Sequence, residues 1–440
     1  MLNRRIFATR ALTAGLAAGL APNLFSATSQ AASPDVRLGF IGVGGRGSGL
    51  LKTLLEMEGV QFPAICDLRE DNLGKAQSLV EESGRPRPEA YQRGPYDFKR
   101  LLQRDDLDGV IIATPWRWHI PMSIAALDTG KAVACEVGPA NSTEECWDLV
   151  RAAEVSSAPC MILENACYRR NMMSLLHMVR QGLLGEIIQC RGGYLHDLRK
   201  RIVLGKGTGI SLPTGGDYRS RQNQTRNADI YPTHGLGPLA QVLDINRGNR
   251  FVSLSAHATK CRGLQSWTQR NLPPEHPAQD YDWAAGDIVT SIIQCQNGEN
   301  IVLTHDCALP RPKSFDWQIQ GTQGIYSEVA NGIHIEGRSP GHDWEPFAKY
   351  QSEFEHPVWS QYLKSGVRGG HDGADFLELT AFVEALRQQR PVPLDVYDMA
   401  SWMAIAPLSE QSIAQGSQPV PFPDFTNGKW MNRKPSFALA

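Results

Sequence analysis

The chain predicts an α/β fold: a doubly wound parallel sheet in its N-terminal part, then a second region of strands and helices. Three observations carry this. An apolar run, Val36 to Ile41, leads straight into Gly42-Val43-Gly44-Gly45-Arg46-Gly47. Strand-like and helix-like segments then alternate up to Leu163. Beyond that point the alternation gives way to strand-like runs, some separated by Gly or Asn turns. Strands alternating with helices build a parallel sheet covered on both faces.

Val36 to Ile41 is short and apolar throughout, as a buried strand is. The glycines behind it have G-x-G-x-x-G spacing, and residues 48–57 read as a helix. In that context Gly42 permits the tight turn, Gly44 admits the pyrophosphate of a dinucleotide, and Gly47 lets helix pack on strand. Gly45 and Arg46 belong to the same cofactor loop. A second strand, 60–66, ends in Asp67, twenty residues past Gly47. An acidic residue there accepts from the ribose hydroxyls and repels a 2′-phosphate, so NAD is favoured over NADP, with Arg69 weakening the preference slightly. Residues 96–103 read as a helix, 109–113 as a strand entering Thr114-Pro115, 120–129 as a helix stopped by Gly130, and 132–136 as a strand. Ser142 and Glu145 form a capping-box pattern for a helix to 155, and 158–163 is the sixth strand. Ligands of such sheets bind beyond the carboxyl ends of the strands. Asp67, Thr114 to His119, Glu136 and Glu164-Asn165 fall on that edge.

Asn3-Arg4-Arg5-Ile6-Phe7 is a twin-arginine pattern ahead of a mild apolar stretch, 11–24, and small residues around 29–32 suit a signal peptidase. The stretch is shorter than the about 20 apolar residues a membrane span needs. The sequence therefore predicts export through the Tat machinery to the periplasm or beyond, and no stable membrane span. The 440 residues carry 44 basic and 46 acidic side chains, interspersed, which argues against a nucleic-acid partner. Nine cysteines show no CxxC pair; Cys66, Cys135 and Cys295 lie in apolar runs as small buried hydrophobes do. His196, His305, His342 and His371 each precede an aspartate but have no metal-ligand spacing. They read as structural, and no metal is expected.

Glu136-Val137-Gly138-Pro139 after the fifth strand resembles the glucose–fructose oxidoreductase / inositol dehydrogenase / MocA family. Thr114-Pro115-Trp116-Arg117-Trp118-His119, Glu164-Asn165-Ala166-Cys167-Tyr168 and Tyr231-Pro232-Thr233-His234-Gly235-Leu236-Gly237-Pro238 look more specifically like glycoside hydrolase family 109, the NAD-dependent α-N-acetylgalactosaminidases. The resemblance implies a Rossmann domain followed by a C-terminal α/β domain. Its open, mostly antiparallel sheet carries the substrate site and often an oligomer interface, so a homodimer is expected. Val137 stands where the dehydrogenases of the broad family carry a lysine acid/base, and Ile230 where they often carry aspartate. Lys313 follows Pro310-Arg311-Pro312, where the glycosidases have a tyrosine.

By resemblance, Thr114, Trp116, Arg117, Trp118 and His119 line the nicotinamide side, and Glu136, Val137 and Asn165 also serve the cofactor; Arg219 is read as a contact to cofactor or substrate. Glu136 has the alternative of a buried cap partner. Tyr194 is a candidate sugar contact, as are Tyr231 and Lys313. Tyr231 and His234, three apart, share a face if they lie on one helix. Beside a nicotinamide they form a general acid/base pair, with the tyrosine lowered by cationic neighbours. No acidic pair of the usual glycosidase kind stands out. The expected route is transient oxidation at C3 of a carbohydrate substrate, loss of the C2 proton, elimination at C1 and addition of water. One tightly bound NAD is recycled throughout.

The domain boundaries expected are 1–32 for the signal peptide, 34–163 for the NAD-binding domain, 164–405 for the substrate and oligomerisation domain, and 406–440 for a tail packed on the protein. Strands are expected at 187–193, 251–257, 287–296, 300–305 and 315–320, rim loops at 205–216 and 262–285, and helices at 371–389 and 396–405. Two other functions fit the same fold: an exported sugar oxidoreductase, and a non-catalytic sugar-binding protein.

Overall fold

The computed structural model describes residues 35–205 and 217–438. The expected leader and nearly all of the 205–216 loop lie outside the described residues.

The N-terminal sheet is built from β1 (Val36–Ile41), α1 (Gly45–Leu55), β2 (Val60–Cys66), α2 (Glu70–Glu82), β3 (Glu89–Tyr91), α3 (Phe98–Leu102), β4 (Gly109–Ile112), α4 (His119–Asp128), β5 (Ala132–Glu136), α5 (Thr143–Ser156) and β6 (Cys160–Leu163). All its ladders are parallel, in the order β3-β2-β1-β4-β5-β6. The order reverses between β1 and β4, and that is where a crevice opens at the strand ends. α1 begins three residues before the apolar pattern suggests, because glycines give no periodic signal. The polar α2, with only Leu73, Ala76 and Val80 buried, and the three-residue β3 were not legible in the sequence. Ser142 caps α5 by accepting from the Glu145 amide at 3.2 Å. The Glu145 carboxylate turns to the Asn141 amide instead, so half of the capping box forms.

The second region comprises α6 (Arg170–Arg180), β7 (Ile187–Leu195), α7 (Arg199–Leu204), α8 (Tyr218–Thr225), α9 (Thr233–Val242), β8 (Phe251–Ala258), α10 (Gly263–Asn271), β9 (Ile288–Cys295), β10 (Asn300–Asp306), β11 (Gln318–Gly321), β12 (Gly324–Ser327), β13 (Gly332–Ile335) and β14 (Glu345–Pro346). It ends with α11 (Phe347–Glu353), α12 (Pro357–Ser365), α13 (Ala374–Arg387), α14 (Val396–Met403), α15 (Ile405–Ala414) and β15 (Val420–Pro421). The nine strands run β14-β13-β12-β11-β7-β10-β9-β8-β15. Only β7 and β10 pair in parallel. The sheet is thus open and mostly antiparallel.

Part of the expected 262–285 rim loop is helix α10, whose Leu264 packs with Ile202, Val203 and Trp283 in a small separate core. Its apolar stripe is too short to announce a helix. The 315–320 strand starts late, at Gln318, because Asp316 takes φ +50° and breaks the extended backbone; Phe315 and Trp317 on either side of it stack at 4.4 Å. In the C-terminal segment α15 lies against β8, and β15 closes that edge of the sheet. All nine cysteines are unpaired, eight of them buried. No described helix is long and apolar enough to cross a membrane.

Candidate functional site

One cavity of about 570 Å³ runs from the glycine loop to the second sheet. Gly42 turns the chain at φ +88°, and a Cβ on Gly47 would lie 2.0 Å from the Gly42 carbonyl. Helix and strand approach that closely only without side chains. Gly44 is the N-cap of α1 and offers no side chain, so the first amides of the helix remain for an anionic ligand. Gly42, Gly44 and Gly45 line the cavity there. Asp67, also lining it, accepts from the Val43 amide at 2.9 Å and from the Arg69 amide at 2.9 Å. The cradle, the helix N-terminus and the carboxylate at the end of β2 together fit an NAD dinucleotide.

Arg46 serves differently. Its guanidinium is committed to Glu136 (2.6 Å), Asp375 (2.6 Å) and Glu378 (3.4 Å). Asn165 donates to the same Asp375 at 2.7 Å, and His371 lies 3.0 Å from it. Glu136 and Asn165 line the cavity, yet their side chains are also spent tying the parallel sheet to α13. Burial would raise the Asp375 carboxyl, but His371 and Arg46 hold it well below the usual range. Burial, then repulsion from Asp375, pushes Glu378 well above the usual carboxylate range. His371, read from the sequence as structural, lines the cavity.

The Trp116 to His119 stretch divides. Trp116 packs on Tyr231 (5.2 Å) and Tyr218 (5.0 Å). Trp118 and His119 also line the cavity, and Trp118 packs onto Tyr96 and Phe98. The fully buried His119 donates from Nε2 to the Thr114 carbonyl at 2.8 Å, and burial lowers its pKa to about 4. Thr114 and Val137 line the cavity. Arg117 does not: it is exposed, its guanidinium 5.5 Å from the Trp118 ring.

Tyr231 and His234 do come together, though not on one helical face. α9 begins at Thr233, and Pro232 caps it with Tyr231 outside. The Tyr231 hydroxyl stands 3.4 Å from His234 Nε2. His234 Nδ1 meets the fully buried Glu164 carboxylate at 2.6 Å. A carboxylate only accepts, so Nδ1 carries the proton and Nε2 presents a lone pair to the tyrosine. Glu164 stands just past β6, where edge position pointed to it, but no local pattern assigned it this role. Burial raises Tyr231 well above its ordinary value, and Tyr194 adds to this. Arg219, 4.9 Å from its ring, pulls the other way without prevailing, so Tyr231 remains a phenol rather than the lowered tyrosine expected.

Tyr194 reaches this pair from β7, at 4.5 Å from Tyr231 and 5.5 Å from His234. The approach depends on Gly235, where a Cβ would come within 2.6 Å of the Gly193 amide. Burial pushes Tyr194 up to about 12. Phe315, Lys313 and Arg169 close this end of the cavity. Among the described residues no group of three or more His, Cys, Asp or Glu is placed to hold a metal.

Residues 36–163 match the NAD-binding Rossmann model of the Gfo/Idh/MocA oxidoreductases, and 168–432 match the C-terminal domain of glycosyl hydrolase 109. A glycosyl hydrolase family 109 protein of Stenotrophomonas maltophilia is 45% identical, with 98% of each chain covered. An alpha-N-acetylgalactosaminidase of Tannerella forsythia is 42% identical over 92% of this chain and 89% of its own. Among solved structures, a levoglucosan dehydrogenase in complex with NADH and levoglucosan aligns with a TM-score of 0.62 at 19% identity, covering 89% of this chain and all of that one. It shares the fold. With both halves matched and relatives covered from end to end, this chain belongs to glycosyl hydrolase family 109, glycoside hydrolases built on an NAD-binding Rossmann domain.

Proposed function

We propose that the protein cleaves α-N-acetylgalactosaminides or related glycosides with an NAD that stays bound and returns to its starting state in every turnover. The observation that carries this reading is the Glu164–His234–Tyr231 chain, set on the same cavity as the glycine cradle. NAD, when bound, supplies a hydride acceptor for C3 of the sugar and later the hydride that restores it. The protein's residues handle protons and position. Glu164 fixes the His234 tautomer, leaving Nε2 as the base. Tyr231, kept protonated by burial, gives its proton to His234 as it takes one from the sugar hydroxyl. Oxidation at C3 acidifies the C2 hydrogen; its loss expels the C1 substituent, and water adds at C1. This route needs no pair of flanking carboxylates. Val137, only 3% exposed, transfers no proton, which sets the site apart from a lysine-dependent alcohol dehydrogenase.

The test uses the protein as purified, without added NAD, on para-nitrophenyl α-N-acetylgalactosaminide and a panel of other nitrophenyl glycosides. Nitrophenol release is expected. No release, with sugar-dependent bleaching of bound NADH, identifies a sugar oxidoreductase instead. Tat export and a homodimer belong to the same proposal, supported by Arg4-Arg5 and the open second sheet. Retention of an Arg4→Lys/Arg5→Lys variant in the cytoplasm, and a dimer mass in sedimentation, are expected.

A further inference from the structure

The sugar end of the cavity carries three cations that form no ion pair among the described residues. Arg219 is 9% exposed. Its guanidinium rests on the rings of Trp116 (4.4 Å), Tyr231 (4.9 Å) and Tyr218 (5.7 Å), and its Nε has no hydrogen-bond partner. Among the described residues the other two buried arginines are paired: Arg226 with Glu410 at 2.7 Å and Arg247 with Asp398 at 2.7 Å. Arg219 forms no ion pair with any described carboxylate. Arg169 and Lys313 approach the Phe315 ring at 5.1 and 5.3 Å, also without ion pairs among the described residues. Phe315 in turn lies 5.7 Å from His234. Residues 1–34, 206–216 and 439–440 contain no Asp or Glu, so no acidic side chain there supplies the missing charge.

A buried cation is costly unless an anion meets it. Arg219 is the buried cation; Lys313 is exposed at the rim, where partial desolvation, then the nearby Arg169, lowers it below the ordinary lysine value and Asp372 and Glu328 oppose this only in part. The pyrophosphate of NAD has its own amides at Gly44 and Gly45. We infer that the glycoside taken by this site carries an oxyanion, a carboxylate or a sulfate ester, held by Arg219, Arg169 and Lys313. The inference rests on the glycosidase reading and deepens it.

Calorimetry on the holoprotein tests it. N-acetylgalactosamine 4- and 6-sulfates are compared with N-acetylgalactosamine, and galacturonate with galactose, at matched ionic strength. At least one anionic sugar is expected to bind tenfold or more tightly than its neutral parent, and the arm that does so distinguishes sulfate from carboxylate. The preference is expected to fall at least tenfold in an Arg169→Ala/Lys313→Ala variant. Lys313→Met alone, at an exposed position, keeps the test open if the double variant does not fold. No preference in either arm, or one that survives both variants, overturns the inference. So does loss of bound NAD from the double variant with the sugar preference intact. Cleavage of neutral nitrophenyl glycosides without anion preference sinks the inference and spares the glycosidase reading. Tight anion binding with no glycoside cleaved does the reverse.

Discussion

The two ends of the cavity treat charge in opposite ways. At the edge of the parallel sheet, Arg46 meets three carboxylates from two elements and is saturated. At the second sheet, Arg219 meets three aromatic rings and no carboxylate. Saturated charge fixes positions: it ties the cofactor loop to α13. Unsaturated charge is held ready for a ligand. Between them, Glu164 and His234 form a third arrangement, one carboxylate orienting one base.

The sharpest way to break this contrast is at the base. His234→Ala is expected to lower kcat about 10²–10⁴-fold while NAD content is unchanged. Glu164→Gln is expected to lower kcat in the same direction by less, with KM within about threefold and partial recovery in Glu164→Asp. An unchanged kcat in both variants would remove the relay. Next comes the saturated end. Arg46→Ala strands its carboxylates and is expected to cost about 3 kcal/mol in urea unfolding, the low end for breaking a buried pair because its side chain is 29% exposed. Asp375→Asn is expected to cost about 1.5–3 kcal/mol, since its carboxylate accepts from Arg46 and Asn165 in charged form. Glu378→Gln is expected to change stability by under about 1 kcal/mol, because burial already favours the neutral form of that carboxyl. Equal losses at 375 and 378 would contradict this difference between the two carboxyls.

The smallest effect is a slope. Burial raises Asp229, whose carboxylate accepts from the Tyr231 amide, to about 7 from 3.8. Between those values the folded protein holds a proton that the unfolded chain has released. This group's stabilising contribution is therefore full below about pH 4 and is lost as pH rises to about 7. Asp229→Asn is expected to flatten that part of the stability–pH curve relative to the parent.

The glycine loop and the strands of the parallel sheet were legible because buried strands are continuous apolar runs bounded by turns. The acid/base pair was legible as residue types at a suggestive spacing, but its geometry was not. Pro232 is the N-cap, so the helix begins between the partners and leaves Tyr231 outside it. Arg46 lines the cavity beside the glycines, as read, but two of its three partners lie more than 300 residues away on α13. No local pattern encodes such a contact. The same holds for Glu164 and His234, 70 residues apart. α2 and α10 escaped notice because their buried stripes are thin.

The most direct measurement is turnover of para-nitrophenyl α-N-acetylgalactosaminide in D₂O by the protein as purified, with no NAD added, followed by proton NMR of the released sugar. Deuterium at C2, with the original hydrogen kept at C3, is the expected result. Full release of nitrophenol with the original hydrogen still at C2 would contradict the proposed chemistry.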